Sequence, residues 1–277
     1  MILVAVRLIR FFLKMAYFQV RICLFFALIP MLLGDFVSAQ ESQIWNFDQS
    51  DITQWELKGE VATQRKGPRP PEFPDLGDLN EAFEFNGSGY LLLSDQGEKS
   101  FYDFKNGDEL TIEAWVRLGK VRDGEFMYVV GKGRSNRAGY KRDNQNWALR
   151  VVADSGSARL SFLFATERSS GDAHWHRWTS EEVFGVTTGW HHIAICYRFG
   201  DPKSIKGWID GLPTSGKWDM GGETQSEPVV DNDSIAVGSA AHGGKANQFK
   251  GEIDYLAIHR TIKIGHCELL LIADLRD

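Results

Sequence analysis

The segment GWHHIAICYRF, Gly189–Phe199, carries two adjacent histidines and a cysteine, and SIKGWIDG, Ser204–Gly211, adds an aspartate. Imidazole, thiolate and carboxylate are the ligands of a zinc site and the parts of an activated nucleophile. A strand separates them. Alternation places His191 with Ile193, Ile195 and Tyr197, and His192 with Ala194, Cys196 and Arg198, so the imidazoles point to opposite sides. His192 and Cys196 share a face but stand about 13 Å apart at ~3.3 Å per residue, beyond the reach of one zinc ion. Cys196 lies among apolar residues, where a buried, inert thiol is the common case. Asp210-Gly211 has the composition of a hairpin turn.

A second pair is Glu252 and Asp254 in GEIDYLAIH, Gly251–His259. Period two sets both on one face of a strand, and retaining glycosidases need two carboxyls about 5–5.5 Å apart. Jelly-roll glucanases of the laminarinase type carry a further glutamate two or three residues on. Here those positions hold Leu256 and Ala257, so the acid/base is missing from the pattern. Hydrolysis through Glu252 and Asp254 stands as the alternative to a binding role.

The elements that must hold these residues are strands. In ELTIEAWVRL, Leu110, Ile112, Ala114, Val116 and Leu118 alternate with Thr111, Glu113, Trp115 and Arg117, which marks a half-buried strand. Similar runs occur at AFEFNG, YLLLS, FMYVVGK, NWALRVVA, ARLSFLFAT, WHHIAICYRF, KGWIDG, SIAVGSA and KGEIDYLAIH, with earlier strands expected near IWNFD and Trp55–Val61. Between them, Pro68, Pro70, Pro71 and Pro74 make Arg65–Asp78 an extended surface connection, since proline lacks the N–H of a strand ladder. No long helical pattern and no blade-length repeat appears. The expected fold is all-β: a two-sheet antiparallel β-sandwich of jelly-roll type.

At the N-terminus, Arg7, Arg10, Lys14 and Arg21 precede the apolar run ICLFFALIPMLL, Ile22–Leu33, and then VSA, Val37–Ala39. That order is a signal peptide, residues 1–39, with an uncleaved anchor as the alternative. Residues 40–277 are then expected to be one domain. The 277-residue chain has a formal net charge of -6 and three cysteines. An acidic balance argues against a nucleic-acid backbone as ligand. Cys23 leaves with the signal, and the spacing of Cys196 and Cys267 leaves their pairing open.

With the strands placed, EAFEFNGSGYLLLSD, LTIEAWVRL, YVVGKGR, NWALRV, LSFLF, GWHHIAICYRF, KGWIDG, IAVGSA and FKGEIDYLAIHR can be taken together. The ordered set, covering 81–260, resembles the laminin-G-like, concanavalin A-like domains of many exported bacterial proteins. GPRPPEFPDL, NGDELTIEAW and YRFGDPKSIKGWIDG are similar to the version found in large planctomycete proteins. The family pattern continues with a leucine-serine-x-x-glutamate segment, which TIKIGHCELLLIADLRD lacks. The resemblance implies a periplasmic, cell-surface or secreted module that binds a polysaccharide or a cell-surface protein without catalysis, and uses neither nucleic acid nor a nucleotide cofactor. A purely structural role in a surface assembly is the further alternative. Calcium in such domains sits at loops near a sheet edge, which suggests Asp95, Asp108, Asp231 and Asp233. For a sugar, which needs a flat aromatic beside hydrogen-bonding groups, the segment AHWHRWTS, read as a loop, offers Trp175, His176, Arg177 and Trp178. Trp115, between Glu113 and Arg117 on the polar face of its strand, is the other aromatic expected to meet ligand.

Overall fold

The computed structural model describes residues 41–47, 51–140, 143–167 and 173–263. The chain divides into Met1–Gln40 and Glu41–Asp277, and every described residue belongs to the second unit. The basic and apolar leader and Cys267 lie outside the described residues.

In chain order the strands are β1 (Ser42–Trp45), β2 (Glu56–Lys58), β3 (Val61–Lys66), β4 (Glu81–Asn86), β5 (Tyr90–Leu93), β6 (Glu109–Leu118), β7 (Phe126–Gly133), β8 (Gln145–Asp154) and β9 (Ser157–Glu167). They continue with β10 (Ala173–Ser180), β11 (Phe184–Gly185), β12 (His191–Arg198), β13 (Asp201–Ile209), β14 (Leu212–Thr214), β15 (Gly216–Met220), β16 (Ile235–Val237) and β17 (Lys250–His259). Two antiparallel sheets result. One, sheet A, has eight strands in the order β14-β13-β12-β6-β17-β4-β3, with β1 also on β17. The other, sheet B, has nine in the order β15-β10-β9-β8-β7-β16-β5-β2, with β11 on β9. This is the two-sheet antiparallel sandwich that the alternating runs predict.

The core lies between the sheets. Leu110, Ile112, Ala114, Val116 and Leu118 of β6 point inward, as do Ile193, Ile195 and Tyr197 of β12; Trp147, Leu149 and Val151 of β8 and Leu160, Phe162 and Phe164 of β9 belong to the same cluster. Each large side chain buried there stabilises the fold by roughly 1.5–3 kcal/mol, more than an exposed ion pair supplies. The sandwich therefore holds by its inner faces, and its outer faces are free to carry polar groups.

Strand β17 departs from simple alternation. Its pairing with β6 shifts between Asp254 and Leu256, and Tyr255 has a φ of 40°. The extra residue is a bulge, which reverses the facing of everything after it. Leu256 and Ile258 thereby reach the core, while His259 emerges on the outer face of sheet A.

The proline-rich connection folds over that outer face. Phe73 and Leu76 pack with Trp115, Trp190 and Ala82, and the Phe73 ring meets Trp115 edge-on at 4.8 Å. Asn80 closes the segment: its side-chain amide donates to Pro68 O at 2.9 Å and to Asp254 Oδ2 at 2.6 Å.

Candidate functional site

The histidine pair serves the fold. His191 and His192 do take opposite sides of sheet A, and Cys196 is a free, buried thiol beside Ala194 and Trp208, pushed up to about 11 by burial. His191 Nδ1 lies 2.7 Å from Asp210 Oδ2, and its Nε2 lies 2.6 Å from Thr188 Oγ1. That order of contacts is the one found in a nucleophile–base–carboxylate relay. Here its ends are engaged with the backbone. The Thr188 hydroxyl is 3.0 Å from Gly185 O, while Asp210 Oδ1 accepts the His192 N–H at 2.9 Å from a turn position with φ of 50°. The carboxylate thus fastens the β13–β14 turn to the start of β12. The contact ties the histidine pair to the Asp-Gly turn that follows it in the chain.

On the outer face of sheet A, Glu113 lies 3.2 Å from His192 Nε2 and 3.0 Å from His259 Nε2, with all three side chains buried. Burial raises the Glu113 carboxyl, but the two imidazoles outweigh it and hold the group at about 2. Asp254 has the reverse balance. Burial pushes it up to about 7 against the Asn80 hydrogen bond, and its Oδ1 has no partner. Two carboxyls with separated proton affinities are the raw material of acid–base chemistry. Here Asp254 is covered by Asn80 at the end of the proline-rich connection, and Glu113 is enclosed by His192 and His259.

Several sequence expectations are corrected at this face. Asp254 is 2% exposed and Glu252 is ion-paired with Arg117, so Glu252 and Asp254 do not face an open cleft. Trp115 is 8% exposed beneath Phe73, because the covering segment needs an apolar seat. It is not a surface platform.

The four acids considered for calcium are spread over the molecule. Asp95 pairs with the buried Lys132 ammonium at 2.9 Å, which also pairs with Asp103, so a cation of the chain itself neutralises that site. Asp108 binds Arg260. Asp231 and Asp233 do come together on Asn144, yet their oxygens accept N–H groups: Asp233 from Ser135 and Ser234 at 2.8 Å, and Asp231 from Asp233 at 3.1 Å. Donors of that kind fit a braced loop rather than a hard cation. Among the described residues no group of three or more histidines, cysteines, aspartates or glutamates is arranged to hold a metal ion.

The segment AHWHRWTS is not a loop. It is strand β10, paired with β9 on one side and β15 on the other. Alternation then divides the four candidates. Trp178 is 3% exposed within the core, and His176 is buried against Phe164 with its Nδ1 2.9 Å from Gly222 O. Both are removed from any ligand. Trp175 and Arg177 stand on the outer face of sheet B, and both are partly exposed.

Around these two residues aromatic, cationic and apolar side chains gather on the outer face of sheet B. The Trp175 indole donates from Nε1 to Asp143 O at 3.1 Å, and the Arg134 guanidinium lies 4.5 Å from its ring centroid. Its apolar floor is Leu163, Ala148 and Ala240, with Met220 beside it. Arg177, paired with Asp219 at 2.7 Å, lies 4.6 Å from the centre of the Phe126 ring. Arg150 lies 4.8 Å from the same ring and 5.5 Å from Tyr128, whose hydroxyl accepts from Arg134 Nη1 at 3.1 Å. A flat ring, an apolar floor and several fixed N–H donors can stack a sugar face and bond its hydroxyls. Sequence reasoning missed Arg134, Arg150, Phe126 and Met220. The available signal was Arg150 itself, a charge in the middle of the otherwise uncharged run NWALRVVA.

Residues 85–262 match a family model, Laminin_G_3, described as the concanavalin A-like lectin/glucanases superfamily. Among solved structures the chain is similar to domain 4 of an extracellular arabinanase from Geobacillus stearothermophilus, in complex with arabinotriose, at 17% identity and a TM-score of 0.46, covering 83% of this chain and 99% of that one. It is also similar to the CBM40 domain of the Ruminococcus gnavus IT-sialidase bound to α2,3-sialyllactose, at 11% identity and a TM-score of 0.44, over 68% of this chain and 95% of that one. The binding domain of Paraclostridial Mosquitocidal Protein 1 aligns at 13% identity and a TM-score of 0.48, over 80% of this chain but 48% of its own. No curated protein sequence gives a significant match. The family match covers most of the two sheets described above, and the chain belongs to the concanavalin A-like lectin/glucanases superfamily.

Proposed function

We infer that the chain is an exported, non-enzymatic recognition module that binds a glycan on the outer face of sheet B. The observation that carries this reading is the Trp175 ring, held partly exposed by Arg134 and Asp143 over an apolar floor. An indole fixed from two sides stacks on a sugar with little loss of side-chain freedom. The basic and apolar order of residues 1–39 supports export. Burial of Asp254 under Asn80, and the pairing of Glu252 with Arg117, favour recognition over hydrolysis.

The test is an array of plant, algal and bacterial polysaccharides probed with the full chain and with Trp175→Ala, in the presence and absence of a chelator. Retention by the wild-type chain, lost in the variant and unaccompanied by new reducing ends after long incubation, supports the reading. Glycan binding that Trp175→Ala leaves intact contradicts the site, and release of sugar contradicts the non-enzymatic role.

A further inference from the structure

Arg150 is a cation in an unusual setting. It is 4% exposed, and its guanidinium donates from Nη2 to Ser161 Oγ at 3.1 Å and lies against Tyr128. Its Nε has no partner. Among the described residues no carboxylate forms an ion pair with it, since Asp143 is engaged with Arg134 and Asp219 with Arg177. Those same two arginines share its aromatic neighbours, Arg177 through the ring of Phe126 and Arg134 through the hydroxyl of Tyr128. Burial pulls the Arg150 guanidinium down to about 10; Tyr128 opposes it, and Arg177 and then Arg134 add smaller effects in the same direction as burial.

A buried charge without a counter-ion is costly, and its replacement by an apolar group of similar volume is usually neutral or stabilising. The chain carries that cost at the outer face of sheet B, next to Trp175. Guanidinium groups present planar N–H forks that match carboxylates and sulfates. The rest of the molecule gives polyanions no general attraction, because the formal net charge is -6.

We propose that the glycan held on this face is anionic, bearing carboxylate or sulfate groups that are received by Arg150, Arg177 and Arg134 while a sugar ring rests on Trp175. The proposal rests on the glycan-binding reading above and narrows it to a ligand class. The anion supplies the counter-charge that Arg150 lacks. Binding should weaken with salt as an ion-paired site does, and Arg150 should matter more to affinity than to stability.

The experiment is isothermal titration of the full chain with polygalacturonate, with chondroitin sulfate and with neutral dextran, each at low and high sodium chloride, alongside poly-glutamate as an acidic peptide. Arg150→Met and Arg177→Met are titrated in parallel, and thermal unfolding is followed for every protein. The expected result is an acidic polysaccharide bound at least tenfold more tightly than dextran, with both variants losing at least tenfold while Arg150→Met melts no lower than wild type. Binding of only the galacturonate or only the sulfated polymer supports the proposal and identifies the anion. Equal binding of dextran and the acidic polymers, or full affinity in both variants, overturns the anionic class while leaving a glycan module standing. Binding of poly-glutamate alone, or of nothing among the polymers and the wider array, removes the glycan reading and the proposal with it. Arg150→Met that both melts far lower and binds normally after refolding assigns Arg150 to the fold and overturns its role.

Discussion

The guanidinium of Arg134 lies 4.5 Å from the centre of the Trp175 ring, while Nε1 of that indole donates to Asp143 O. The ring is therefore fixed before any ligand arrives. Three residues further along the same strand, Trp178 occupies the opposite side of sheet B and fills the core. The two rings therefore serve different faces of one strand, Trp175 the outer face of sheet B and Trp178 the core.

Replacing each tryptophan should show that separation. Trp175→Ala is expected to lower glycan affinity by tenfold or more and to cost about 1 kcal/mol of stability, as a partly exposed aromatic does. Trp178→Ala is expected to cost about 3–5 kcal/mol by leaving a cavity. Urea unfolding followed by tryptophan fluorescence, beside affinity electrophoresis in polysaccharide gels, measures both effects.

Asp254 should make the fold less stable as pH rises from about 4 to about 7. Its carboxyl is raised in the folded state to about 7, so across that window the folded chain binds a proton that the unfolded chain has released. The loss is on the order of 4 kcal/mol once pH exceeds 7, from burial of a charge with one oxygen unpartnered. Asp254→Asn keeps an acceptor for Asn80 and carries no charge. The variant should match wild type near pH 4 and exceed it above pH 7 in denaturant midpoints.

Glu113 should act in the opposite sense. The carboxylate is held at about 2 by His192 and His259 despite burial, so its contribution is present above the ordinary glutamate range and fades as pH falls through about 2. Glu113→Gln should destabilise the chain by about 3 kcal/mol at neutral pH, because two buried imidazoles lose a charged partner. Chemical denaturation at pH 7 and at pH 3 gives the comparison, with the gap between variant and wild type narrower at the lower pH.

The Cys196 thiol should be silent in the native protein. Burial pushes it up to about 11 and leaves it no exposed surface. Mass spectrometry after iodoacetamide at pH 8 should find this residue unlabelled in the folded chain and fully labelled in guanidinium chloride.

Much of the architecture was legible because the inner faces follow period two. Leu110 to Leu118 and Ile193 to Tyr197 point where alternation puts them, and His191 and His192 diverge for the same reason. The bulge at Tyr255 was not legible, since GEIDYLAIH alternates plausibly on either side of it and only the pairing with β6 reveals the added residue. Strand β10 was read as a loop because its inward positions hold His174, His176 and Trp178, and a histidine turned inward looks polar until Phe164 and Gly222 O are seen to receive it. The site was half visible. Trp175 and Arg177 lie within one short segment, whereas Arg134 and Arg150 come from β7–β8 and meet them only through the stacking of strands across sheet B. Trp115 was misleading because nothing local to β6 announces that Phe73, far earlier in the chain, covers it.

Hydrogen–deuterium exchange of the full chain, with and without saturating polysaccharide, locates the glycan-binding face. The segments around Trp175 and those around Trp115 and Asp254 lie in different stretches of the chain. Slowed exchange is expected at 126–134, 148–150, 161–165 and 173–177, with no change at 80–84, 113–117 and 252–257. Protection confined to the second set, around Trp115 and Asp254, would contradict binding on sheet B.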